Sequence, residues 1–123
     1  MRDFRNIVAW QKADDSVVHV YELTESLPKS EVYGLTSQIR RAAVSVAANI
    51  AEGSARATSK DYIHFLFIAK SSLVEVEYYL HLCHRLSYLN SHDYHRVTQM
   101  QKEAARVLQG LIQHIQRQMQ SHT

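Results

Sequence analysis

QIRRAAVSVAANIAEGSAR, residues 38–56, is the stretch on which the fold turns. Within it Ile39, Ala42, Val46, Ile50 and Gly53 follow Leu35 in steps of three and four. That spacing lines them up along one side of an α-helix, whereas a strand would scatter them over both faces. The stretch therefore predicts a helix over about 32–55. Its other side carries Val44, Ala47, Ala48 and Ala51, flanked by Ser37 and Arg40. A helix at the surface of a lone bundle needs only one apolar face, and this one has two.

Outward from this segment, the chain breaks at Pro28, at the polar run ATSK (57–60) and at NSH (90–92). Helical periodicity fills the intervals, predicting further helices over about 7–27, 60–89 and 92–119. Pro28 lacks an N–H and disfavours the α conformation at Leu27, which stops the first helix there. Ser59 and Ser91 are placed to cap the third and fourth. Rods of this length joined by short loops predict an all-α fold, an antiparallel up-down-up-down four-helix bundle filling one domain over residues 1–123. Three glycines and one proline in 123 residues leave too few turn formers for a sandwich or barrel. A hydrophobic content of 46% argues against disorder. The lone Cys83 cannot close an internal disulfide, and no apolar run reaches membrane length, so a cytoplasmic protein without membrane association is expected.

The third helix repeats the excess of the second. Beside its core stripe of Tyr62, Leu66, Ala69, Leu73, Val76, Leu80 and Cys83 runs a second one, Ile63, Phe67, Val74 and Tyr78. Two adjacent helices with spare apolar faces predict a homo-oligomer, its interface drawn from Val44, Ala47, Ala48, Ala51, Phe67, Val74 and Tyr78.

No nucleophile–base motif, glycine-rich phosphate loop or C-x-x-C pair is present, so neither an enzyme nor a cofactor is expected. Glu77, His81 and His84 share one helical face and are weak metal candidates, since the paired Glu-x-x-His signature of di-metal bundles is missing. Charge is uneven. Residues 1–31 hold four Lys and Arg against six Asp and Glu, whereas 32–60 hold four against one and 84–123 five against two. Arg40, Arg41, Arg56, Lys60, Lys102, Arg106 and Arg117 are accordingly the expected phosphate contacts of a nucleic-acid-binding protein, RNA before DNA. Asn49, Glu52, Ser72 and Glu75 interrupt the apolar pattern and suggest a polar network that sets helix register, with Glu52 and Arg56 spaced as an i, i+4 pair.

Residues 38–56, with DFRNIVAWQKA (3–13), EVYGL (31–35), SKDYIHFLFIAKSSLVEVE (59–77) and LSYL (86–89), resemble the bacterial four-helix-bundle family encoded by intervening sequences in 23S rRNA genes. The likeness is most specific around Arg40, Arg41, Asn49, Glu52 and Gly53. The family's central motif usually reads Ser-Ile-Pro-Ala-Asn-Ile-Ala-Glu-Gly, and Ala47 stands here in place of its proline. The resemblance implies antiparallel bundles assembled as homopentameric rings, no enzymatic activity, and RNA or DNA binding as the usual proposal. Related bundles are accessory factors of diversity-generating retroelements, which leaves a scaffold that recruits another protein as the alternative.

Overall fold

The computed structural model describes residues 2–121, so the extreme ends of the expected 1–123 unit lie outside it. Four helices make up the fold: α1 (Val8–Thr24), α2 (Leu35–Ser54), α3 (Ser59–Arg85) and α4 (Ser91–Ser121), with single 3₁₀ turns at Phe4–Asn6 and Lys29–Glu31 and no strand among the described residues. None of the helices is long and apolar enough to cross a membrane among those residues.

The helix ends shift from their expected positions for local reasons. The first stops at Thr24, not Leu27: the Thr24 hydroxyl donates to the Val20 carbonyl at 2.7 Å, and the chain then bends through Pro28 into the 3₁₀ turn. The second starts at Leu35 because the Glu31 carboxylate accepts the Leu35 N–H at 3.2 Å. It then runs unbroken to Ser54, Ala47 included. The third is capped by Thr58, whose hydroxyl accepts the Asp61 N–H at 3.1 Å, and Ser59 is already helical. It ends at Arg85, ahead of the expected Leu89, where Ser87 turns left-handed at φ 63° and the Tyr88 N–H reaches back to the Cys83 carbonyl. The fourth is capped by Asn90, one residue before the expected Ser91.

Each helix packs on two others: α2 on α1 and α3, and α4 on α3 and α1. The diagonal pairs, α1 with α3 and α2 with α4, make no close approach. Along α2 and α3, Ser45 bonds Ser72 while Gly53 sits under Tyr62 and Phe65. Along α3 and α4, Lys70 reaches Gln109 and His84 stacks on Tyr94.

Two apolar clusters stack along the interior. One joins Val46, Ala47, Ile50, Leu66, Leu108 and Ile112, and the other joins Val20, Ile39, Val76, Leu80, Cys83 and Val97. Buried Ser16 and Gln101 meet near their junction, the Gln101 amide donating to the Ser16 hydroxyl. A polar pair satisfied inside an apolar core favours one register of α1 on α4 over a slipped one.

Burial, with the Glu31 carboxylate as a smaller influence, pushes the Cys83 thiol from its ordinary 9 up to about 11. The folded state thus holds the neutral thiol more firmly than the unfolded state does. Its contribution is complete below about pH 9 and is lost as pH rises toward 11. At neutral pH Cys83 should resist a disulfide-exchange reagent in the native protein and react stoichiometrically once urea unfolds it. Rapid native labelling would contradict its burial.

Candidate functional site: a basic bundle end and two exposed faces

The seven basic residues expected to contact phosphate do not form one surface. Arg40 is taken up internally: its Nε donates to Thr24 Oγ1 at 2.9 Å, one Nη donates to the Tyr21 carbonyl at 3.2 Å, and the guanidinium lies over the Tyr21 ring. Half-buried Arg40, expected as a phosphate contact, acts within the subunit as the clamp that holds the end of α1 on α2. Arg106 is likewise engaged, gripping Glu103 through two bonds of 2.8 and 3.1 Å. That pairing lowers the Glu103 pKa and raises that of Arg106. Arg41 opens onto a polar recess between α2 and α3 with Gln38, Ser45 and Glu75.

The others fall at two places. Arg56 and Lys60 bracket the α2–α3 turn, and the register of Lys70 with Gln109 carries the last turns of α4, with Arg117, toward the same end. Arg2, which is not among the expected phosphate ligands, joins them. Its guanidinium donates to the Ser54 and Arg56 carbonyls and rests 4.5 Å from the Tyr62 ring centre, while Arg56 lies 4.7 Å from that of Phe65. Burial raises the Tyr62 pKa, partly offset by Arg2. Both guanidiniums therefore rest on aromatic faces, and neither pairs with a carboxylate among the described residues, in contrast to Arg5, which Asp3 holds at 3.3 Å. The expected Glu52–Arg56 pair is not made, because α2 ends at Ser54 and Arg56 turns toward Phe65.

Lys102 and Arg106 line a groove of about 750 Å³ between α3 and α4, together with Lys70. Leu73, Leu80 and Leu108 form its apolar floor and Val74 its outer lip. From that lip the outer stripe of α3 extends through exposed Phe67, Val74 (60% accessible) and Tyr78 (57%). On α2, Val44 is 41% accessible and Ala48 is exposed beside it, with Ala51 half-buried. Ala47 is a correction: it belongs to the core, packed with Val46 and Leu66, and offers nothing to a partner. Its cluster also takes in Ala9 and Ala13 of α1, which the wheel of one helix cannot reveal.

The polar network is smaller than expected and centres on a residue the sequence pattern does not single out. Ser45 accepts from the Asn49 amide at 3.0 Å and bonds Ser72 at 2.8 Å, tying α2 to α3. Glu52 takes no part, and Glu75 instead accepts a long bond from Tyr79 at 3.4 Å. No three His, Cys, Asp or Glu side chains converge as a metal site among the described residues. His84 is stacked flat on Tyr94, away from any ligand set with Glu77 and His81.

Residues 5–110 match the family model described as 23S rRNA-intervening sequence protein. The chain belongs to this family. A solved structure with the same fold is a protein of unknown function from the S23 ribosomal protein family of Bacteroides thetaiotaomicron. It is 25% identical, the match covers 85% of this chain and 97% of that one, and the TM-score is 0.76. No curated protein matches significantly. For this 23S rRNA intervening-sequence protein, the motif positions thus acquire local roles: Arg40 clamps α1, Asn49 holds Ser45, and Gly53 admits α3.

Proposed function

We propose that this chain is a non-catalytic, cytoplasmic subunit of a homo-oligomer that binds nucleic acid, structured RNA in particular, at one end of an antiparallel up-down-up-down bundle. The pairings Ser45–Ser72, Lys70–Gln109 and Arg40–Tyr21 support that arrangement of helices. The observation that carries the binding function is the seating of Arg2 on the Tyr62 ring and of Arg56 on the Phe65 ring, at the bundle end where α3 begins with Lys60 and α4 finishes with Arg117. Guanidiniums pre-positioned on ring faces lose little entropy on meeting phosphate, and they present a planar fork that lysine lacks. The exposed apolar residues of α2 and α3 support assembly, and the family resemblance favours a pentamer. Repeating four cations in every subunit multiplies phosphate contacts without any new chemistry.

The test is fluorescence anisotropy with a labelled structured rRNA fragment at several salt concentrations. Six or more phosphate contacts should cost roughly 10³-fold in affinity between about 50 and 200 mM salt. A combined Arg56→Gln, Lys60→Gln, Arg117→Gln variant should reduce the log–log slope by about one unit for each phosphate that is no longer neutralised. Arg40→Ala serves as the contrast: it should lower the thermal midpoint and leave the slope unchanged. Binding indifferent to salt would refute the proposal.

A further inference from the structure

A second recess, of about 590 Å³, lies where α1 ends and α2 begins, at the opposite end of α2 from Arg56. Tyr21, Leu27 and Val32 form its apolar wall. Its charge is one-sided, with Lys29, Arg40 and Arg41 set against Glu25 alone. Arg40 takes up that carboxylate at 3.5 Å, which leaves Lys29 and Arg41 without an ion-pair partner among the described residues. The start of α2 is open as well. Gly34 offers no side-chain cap, and the first turn holds no carboxylate. Glu31 takes the Leu35 N–H and, through its other oxygen, the Tyr88 hydroxyl. The Thr36 and Ser37 N–H groups have no acceptor among the described residues. Thr36 adds the decisive observation. It lines the recess one turn before Arg40 and is only 9% accessible, yet its hydroxyl bonds nothing among the described residues. A buried hydroxyl without a partner is destabilising, and a ligand that supplies the missing acceptor removes that cost.

We infer that this recess binds a phosphate monoester. The Thr36 hydroxyl and the open N–H groups of α2 hold the phosphate oxygens, and Lys29 and Arg41 neutralise their charge. Tyr21, Leu27 and Val32 receive the organic group of the ester, in a volume ordinary for a small-molecule site. A monoester carries close to two negative charges at neutral pH, matching the two unpaired cations. A carboxylate brings one charge and two oxygens, too few for this set of donors. A phosphodiester brings one charge and an organic group on each side, so the RNA backbone is not the ligand. The site is therefore separate from the bundle end proposed above for nucleic acid.

Isothermal titration calorimetry of the full chain tests this with phenyl phosphate, diphenyl phosphate and benzoate. Phenyl phosphate should fill one site per subunit, and the other two should bind at least about tenfold more weakly. Lys29→Gln combined with Arg41→Gln should weaken phenyl phosphate about tenfold or more, with the thermal midpoint unchanged because both side chains are exposed. Thr36→Val should weaken it by about tenfold while holding or raising the midpoint, since valine replaces an unpartnered hydroxyl with an apolar group of the same shape. A hydroxyl with a purely structural role would lower the midpoint instead. The Arg56→Gln, Lys60→Gln, Arg117→Gln variant should bind phenyl phosphate as wild type does, and a loss there would place the site at the other end. That result would overturn the inference, as would no heat at millimolar phenyl phosphate, equal affinity for the diester, or Thr36→Val binding like wild type.

Discussion

Leu66→Ala is expected to lower the unfolding free energy by about 2–5 kcal/mol. Leu66 is fully buried and lies in one cluster with Val46 and Ile50 from α2 and Leu108 and Ile112 from α4. Truncating it removes the transfer energy of the side chain beyond Cβ and leaves a void that rigid helices on either side fill only partly. Urea unfolding followed by helical circular dichroism, at matched protein concentration so that assembly is held constant, measures the cost. A loss below about 1 kcal/mol would mean that Leu66 is not at the centre of the layer.

Gly53→Ala is expected to destabilise by about 1–3 kcal/mol, although alanine is the better helix former by about 1 kcal/mol. A Cβ at position 53 would stand 2.8 Å from Phe65 Cβ, 3.1 Å from Tyr62 Cδ1 and 3.3 Å from the Tyr62 carbonyl oxygen. The Phe65 Cβ and the carbonyl are fixed to the α3 backbone, so relief requires the two helices to separate. Separation there also disturbs the Arg2–Tyr62 and Arg56–Phe65 stacks, so the variant should weaken RNA binding along with stability. The same change at Gly110, where a Cβ meets nothing within 4 Å, should be neutral or stabilising and serves as the control. A stabilised Gly53→Ala protein would show that α2 and α3 are less closely apposed.

Much of this architecture is legible in residue spacing. The stripe of α3 from Tyr62 to Cys83 is buried throughout, as its period of three and four requires. Helix ends are less legible, because they depend on which side chain reaches the free N–H groups: Glu31 for α2, Thr58 for α3 and Asn90 for α4. The Glu31 carboxylate also accepts the Tyr88 hydroxyl at 3.0 Å, and this raises the Tyr88 pKa. No local pattern announces a partner so far along the chain.

The candidate site shows the same division. Arg40 and Arg56 are both arginines near an apolar helix, yet one is spent on Thr24 and Tyr21 while the other rests exposed on Phe65. Arg2 can be counted as a charge in the sequence but not placed, since its role depends on the end of α2 lying beside it. Ala47 falls on the outer side of the wheel of α2 alone, yet the assembled bundle buries it in the cluster with Ala9, Ala13 and Leu66.

By itself, then, the sequence determined that the chain makes four helices, which residues form their main stripes, and that α2 and α3 carry apolar surface beyond one core. Periodicity and propensity are properties of neighbours along the chain, so they can be read there. Only the tertiary structure decided that Arg40 clamps α1 while Arg2 and Arg56 rest on ring faces, and that Ser45 links Asn49 to Ser72. Those outcomes depend on groups brought together from distant segments, and a side chain's charge, burial and partners are settled only when the neighbouring helix arrives.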